Sequence, residues 1–202
     1  MPDKPPKSGA LTERNIRQAA IALIARDGYE SMSLRQLAAE AGVNPATLYL
    51  YYEGKKELLM TLVLDYLSEL QQAWQECKPK RARPDNVLRA FVRFHVRYHL
   101  ERKAEGVLGN MELRSLDADE RGIVQQARRT YLRELQDILE AGNAKGLFHC
   151  DHPKLLTSIL FNMLTHVVAW YRSDGAMSID EVVEHYSELV LRMVGYTPPP
   201  SR

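Results

Sequence analysis

SLRQLAAEAGVNPATLYLYYEGKKELLM, residues 33 to 60, is the stretch that decides the fold. Ser33 offers a hydroxyl to the third helical N–H, and Gln36 stands where a side chain can reach back, which is a capping-box start. Leu34, Leu37, Ala38 and Ala41 recur at helical spacing, while Arg35, Gln36 and Glu40 fall largely on the other face. Gly42 ends this helix because glycine takes a left-handed backbone at little cost, and the apolar Val43 can plug the corner. Asn44 supplies a second N-cap, and Pro45 sits at the first helical position, where a missing N–H is no loss. Ala46 to Tyr52 then read as a second short helix with Leu48 and Tyr52 on one face. Two short helices about a Gly-containing turn match the unit that lays its second helix in the major groove of DNA. An ordinary helical hairpin has the same spacing, and three features argue against it. Small residues open the second helix and allow close approach to base edges. Thr47, Tyr49 and Tyr51 replace a Lys/Glu solubility face. Lys55 and Lys56 stand at a helix N-terminus, where the helix dipole disfavours cations unless an anion such as phosphate is present.

Several residues together resemble the N-terminal signature of the TetR family of one-component transcriptional regulators, over about residues 11 to 60. They are Thr12-Glu13 before an Ala-rich helix, Gly28-Tyr29, Ser33, Leu37-Ala38, Ala41-Gly42-Val43, Thr47-Leu48-Tyr49, Tyr52 and Lys55-Lys56-Glu57-Leu58. The resemblance implies an all-α protein of about nine helices: a three-helix DNA-binding domain over residues 11–55, then an effector-binding and dimerisation domain over 56–196. Residues 1–10 are expected to form a disordered arm and 197–202 a disordered tail. Carried over position by position, DNA contact falls to Ser33, Arg35, Asn44, Pro45, Ala46, Thr47, Tyr49, Leu50, Tyr51 and Lys55. The family often has His and Phe after its Leu-Tyr pair. Here Tyr51 and Tyr52 stand there, which weakens a phosphate role for Tyr51 and requires a partner for the Tyr52 hydroxyl.

A net charge of +1, with eight basic and seven acidic residues in the first 60, points to positioned contacts rather than a cationic surface. A 45% hydrophobic content supports a proper core, and no run of eighteen apolar residues or apolar signal segment is present, so a soluble, cytoplasmic chain is expected. Cys77 and Cys150 are too few for a disulfide framework and read as free thiols.

Along the chain, a helix is expected from about Leu11, capped by Thr12, to Asp27, with Ile16, Ala19, Ala20, Leu23 and Ile24 as its buried stripe. A long lever helix follows from Lys55 to about Cys77, and the basic run KPKRARP (78–84) reads as a solvated loop. Further helices are expected over 85–103, about 110–115 after an interruption at Gly106 and Gly109, 117–141 closed by Gly142 and Gly146, 153–171, and from Ser178 or Asp180 to Val194.

The helix after Pro153 is apolar on more than one face, so it must be covered on more than one side. It is either a central core helix or, as the resemblance implies, part of a four-helix bundle between two copies. That bundle would use Leu156, Leu160, Met163, Val167, Val182, Tyr186, Leu189, Val190 and Met193. The resemblance also places an effector pocket between residues 85 and 172, with Phe91, Phe94, His95, Tyr98, His99, Met111, Arg114, Tyr131, Phe161, His166 and Trp170 as candidates for a bulky, largely apolar ligand. Trp170-Tyr171-Arg172 with Gly175 is similar to regulators of lipid or acyl-thioester breakdown. His95 and His99 lack the Glu of a His-Glu-x-x-His site, and His149, Cys150, Asp151 and His152 are too close together to face one metal. No phosphate loop, nucleophile elbow or dinucleotide fingerprint is present, so neither enzyme chemistry nor a cofactor is expected. The expected function is a homodimeric repressor on a palindromic operator, released by a small effector. An activator or corepressor-dependent regulator, or a helical ligand-binding dimer without DNA activity, stays open.

Overall fold

The computed structural model describes residues 7–111 and 116–198, with side chains from 9–109 and 116–198. All regular structure among them is helical: α1 (Lys7–Asp27), α2 (Leu34–Glu40), α3 (Pro45–Leu48), α4 (Lys55–Cys77), α5 (Pro84–Glu101), α6 (Lys103–Met111), α7 (Ala118–Ala144), α8 (Pro153–Thr165), α9 (Val167–Trp170) and α10 (Ile179–Met193). α8 and α9 are one rod interrupted at His166, which recovers the expected number of nine.

Local chemistry accounts for most boundaries. Ser33 Oγ accepts from the Gln36 N–H to start α2, and Gly42, at φ +68, turns the chain out of it. Asn44 Oδ1 accepts from the Ala46 N–H and Pro45 opens α3. Full capping boxes, Asp117 with Glu120 and Ser178 with Glu181, start α7 and α10. α1 begins at Lys7, so Thr12 lies inside the helix rather than capping it, and Lys7–Ala10 of the expected arm are helical. Residues 1–6 and 199–202 of the expected arm and tail lie outside the described residues. Thr197 of that tail is tied down, its N–H donating to the Leu147 carbonyl at 3.0 Å.

Three glycines expected as breakers sit within helices. A Cβ on Gly109 would come within 2.7 Å of Tyr66 Cδ1, and one on Gly142 within 1.8 Å of Phe148 Cδ2. With Gly106, whose Cβ would meet Val168 at 3.2 Å, they are notches that let α6 close on α4 and let Phe148 fold under α7. The helix expected from 110 to 115 therefore begins earlier, at Lys103, and residues 112–115 lie outside the described set.

α1 buries Ile16, Ala20, Leu23 and Ile24 under the α2–α3 unit, which returns Leu37, Ala38 and Leu48. α4 runs from there through the molecule, burying Leu58, Leu59, Leu62, Leu67, Leu70 and Trp74. α5 lies against α10, with Arg89 to Glu188 at 2.8 Å, Arg93 to Glu184 at 2.7 Å, and Arg97 to Asp180 forming an antiparallel ladder of ion pairs. In the 78–84 loop, Lys78 pairs with Glu134 and Arg83 with Asp85, so those cations serve the fold. No helix among the described residues is long and apolar enough to cross a membrane.

Candidate nucleic-acid interface and effector pocket

α3 is a single α-turn that then tightens: Leu50 N–H donates to Thr47 O and Tyr51 N–H to Leu48 O. Tyr52 is buried, and its hydroxyl meets Glu13 at 3.4 Å, the partner its burial requires. Outward, Tyr49 is 59% exposed and Leu50 81%, beside exposed Asn44, Pro45 and Ala46 and half-buried Thr47. Two large apolar side chains on a surface turn, with Ser33 and Arg35 also exposed nearby in sequence, form a face awaiting a partner. Tyr51 and Lys55 are placed differently from the rest. The Tyr51 hydroxyl donates to the Gly9 carbonyl at 3.2 Å, while the Lys55 ammonium donates to the Glu30 carbonyl at 3.1 Å and lies 4.2 Å from the Tyr29 ring centre. Both brace the reader internally.

This reader is fastened to the rest of the chain by charge. Arg17 of α1 meets Asp65 of α4 at 2.6 Å, and Lys56 meets Asp117 at 2.7 Å and Glu120 at 3.1 Å at the start of α7.

Of the residues expected to line a pocket, Phe91, His95, His99, Tyr131 and Phe161 converge in one buried cluster with half-buried Phe94 and buried Tyr98 beside it. Phe91 and Tyr131 centres are 5.2 Å apart, His95 and Phe161 5.5 Å, Phe94 and Tyr98 5.4 Å. Trp74 of α4, not among the expected pocket residues, joins them at 5.1 Å from Phe91. Tyr66, also on α4, was missed. Its hydroxyl is buried and has no hydrogen-bond partner among the described residues, although its helical spacing from Leu59, Leu62 and Val63 marks it as inward-facing. Arg128 was missed too: its guanidinium donates to the Gly109 carbonyl.

His166 and Trp170, expected in this pocket, are exposed instead, and Trp170 stacks on Tyr186 of α10 at 6.4 Å and 9°. The side chains of Met111 and Arg114 lie outside the described residues. On the dimer side, Leu160, Val167, Val182 and Val190 are at most 1% exposed within a single copy and have no surface to offer a second. They are core. Leu189 and Met193 are exposed and Leu156, Met163 and Tyr186 half-buried, and on the α8–α9 rod Leu155 at 59%, Ile159 at 47% and Trp170 at 51% are exposed as well.

Burial holds both central histidines neutral. His99 is pushed down to about 4 by desolvation, against the help of its Nδ1–H bond to the His95 carbonyl at 2.9 Å. His95 is driven well below its ordinary value by desolvation and then by His99, while its ring nitrogens bond Tyr131 at 3.1 Å and Thr165 at 3.0 Å. Between pH 6.5 and 4 the unfolded His99 binds a proton that the folded one refuses, so stability falls as pH drops through that window and is unaffected by this ring above it. His99 alone contributes about 3 kcal/mol of this loss. Urea melts should show a steady decline from pH 7 to 5 that is shallower in His99→Leu; a flat wild-type profile would show the rings are not held neutral.

An all-helical chain with a capped two-helix reader on a long lever, fastened to a second helical unit with an aromatic interior, has the build of a one-component DNA-binding regulator. Residues 16–61 match the bacterial regulatory proteins of the tetR family, and residues 81–194 match the tetracyclin repressor-like C-terminal domain. The chain belongs to the TetR family. It is similar to the HTH-type transcriptional repressor KstR2 of Rhodococcus jostii, with 27% identity over 187 residues covering 92% of this chain and 91% of that protein. It is also similar to the fatty acid metabolism regulator protein of Bacillus subtilis, with 25% identity over 131 residues covering 65% of this chain and 68% of that one. A solved bacterial regulatory protein in the tetR family from Rhodococcus RHA1 superposes with a TM-score of 0.87 at 27% identity, over 93% of this chain and 98% of that one.

Proposed function

We propose that this chain is a cytoplasmic repressor: a homodimer that holds a near-palindromic operator and releases it when an acyl effector, a lipid or its thioester, enters the second domain. The observation that carries the reading is the exposed turn at Thr47–Leu50, in which Tyr49 and Leu50 have no packing role of their own. Arg35, Asn44 and Thr47 reach base edges or phosphates from that face, and Tyr49 donates to a phosphate. Ser33, Pro45, Ala46 and Leu50 shape the approach. Tyr51 and Lys55 support the reader and reach phosphate only by exchanging their present bonds.

The two copies meet through Leu155, Ile159, Trp170, Leu189 and Met193, with Leu156, Met163 and Tyr186 at the margin, which sets two readers on successive major grooves. The aromatic cluster suits an apolar acyl chain, in keeping with a relative named as a fatty acid metabolism regulator. Opening the cluster to admit that chain shifts the α4–α7 junction at Lys56, Asp117 and Glu120, and the population moves to a reader spacing the operator does not fit.

Fluorescence anisotropy on DNA from upstream of the chain's own gene tests this reading. The expected result is a specific, salt-dependent complex that micromolar octanoyl-coenzyme A weakens by about tenfold or more, the coupling typical of such switches. A complex indifferent to every acyl compound tried would remove the effector half of the proposal, and no specific complex at all would remove the whole.

A further inference from the structure

Eight arginines among the described residues pair with carboxylates. Arg129 and Arg133 of α7 have no such pairing among the described residues, although both are exposed and one turn apart, an arrangement in which like charges repel. Asp137, a further turn along, is not within ion-pair distance of Arg133 among these contacts. Lys154 of α8 completes the group. These three cations line a groove of about 400 Å³ between α7 and α8, together with Leu132, Gln136, Thr157 and Ser158. A neighbouring hollow shares Lys154 but is walled by Glu140 and Asp151, so favourable potential for an anion is confined to the arginine end. Neighbouring inward positions of the same two helices carry Tyr131 and Phe161, members of the buried ring cluster. An unneutralised cationic groove thus overlies an apolar interior.

We infer that this groove seats the phosphorylated end of an acyl-coenzyme A, with Arg129 and Arg133 on phosphate oxygens, Lys154 as a third charge, and the acyl chain passing between α7 and α8 toward Tyr131 and Phe161. The inference rests on the effector reading above. Guanidinium groups meet phosphate oxygens through paired N–H donors, and ammonium adds a compact point charge. Three cations without a carboxylate partner among the described residues, Arg129 holding only the neutral Gln126 Oε1 at 2.9 Å, match a polyanion better than the single carboxylate of a free fatty acid. The repulsion between the two arginines is already present without ligand and is relieved when an anion binds between them.

Calorimetric titration of the full-length protein with octanoyl-coenzyme A, free coenzyme A and octanoate tests the assignment. The comparison is wild type, Arg129→Ala with Arg133→Ala, and Arg93→Ala, whose arginine is already paired with Glu184. Free coenzyme A should bind the wild type in a salt-sensitive manner and octanoyl-coenzyme A more tightly. Both should weaken by about tenfold or more in the double variant, while Arg93→Ala leaves them unchanged. Octanoate, which carries no phosphate, should be indifferent to the double substitution, and matching melting curves establish that the variant is folded. Undiminished octanoyl-coenzyme A binding in the double variant overturns the groove and leaves the effector reading standing. Absence of binding by the wild type to either coenzyme A compound overturns the groove as well. Binding that depends on the arginines without releasing the operator keeps the groove and removes the effector reading.

Discussion

Leu155→Asp combined with Leu189→Asp converts the protein to monomers at micromolar concentration and weakens operator binding by about a thousandfold. Both side chains are exposed in one copy, at 59% and 42%, so the substitutions leave the protomer's own core intact. In the dimer they would bury carboxylates against apolar partners, and an unpaired charge desolvated in that way outweighs the area it replaces. Operator affinity falls with the dimer because the second half-site is then no longer bound at the high effective concentration the first one provides. Sedimentation velocity and anisotropy measure the two effects. A variant that stays dimeric would move the interface away from α8 and α10. Leu160→Asp makes a useful contrast: Leu160 is 0% exposed in the single copy, so that change should unfold the protomer rather than separate two folded ones.

Thr47→Ala with Tyr49→Ala should weaken specific operator binding by about a hundredfold or more, while far-UV spectra and melting temperature stay near wild type. Thr47 is half-buried and Tyr49 largely exposed, and neither side chain caps α3, whose start depends on Asn44 and Pro45. A base-edge or phosphate contact is worth about 1–3 kcal/mol, and a dimer loses each contact twice. Binding to unrelated duplex should change less, since that component depends on total charge. Equal affinity of the double variant and the wild type for the operator would mean that α3 does not face DNA.

The reader was legible because its determinants are local. A hydroxyl at Ser33, a glycine at Gly42 and the Asn44-Pro45 pair each dictate backbone geometry within one helical turn, and the structure places all four in those roles. Gly106 and Gly109 were misread as interruptions because the reasons for them lie far off in sequence: the Tyr66 ring on α4 occupies the space a side chain at Gly109 would need, and Val168 stands 3.2 Å from where a Cβ at Gly106 would sit. The outward face of α8 was half legible. Periodicity shows that α8 is apolar on more than one side, but not which side the protomer keeps; α5 and α7 take Leu160, leaving Leu155 and Ile159 outward. Trp170 was placed in the pocket because the resemblance set the pocket among residues 85 to 172, and that range does not say which side a ring faces: it stacks on Tyr186 of α10 instead. The cations at Arg129 and Arg133 drew no notice in a chain with 27 basic residues, since only the structure shows which are already neutralised.

The contact of Lys56 with Asp117 and Glu120 bears on how any salt titration of this protein is read. The two carboxylates belong to the capping box that starts α7, so one small cluster both anchors the lever and nucleates a helix. Lys56 and Asp117, more than half exposed, are open to competition from dissolved ions. On the proposed mechanism, raising ionic strength would do two things at once: strip the duplex from the protein and slacken the junction that sets the span between the two readers. The slope of log affinity against log salt should then be steeper than the number of neutralised phosphates accounts for, and a count of DNA contacts taken from that slope alone would come out too high.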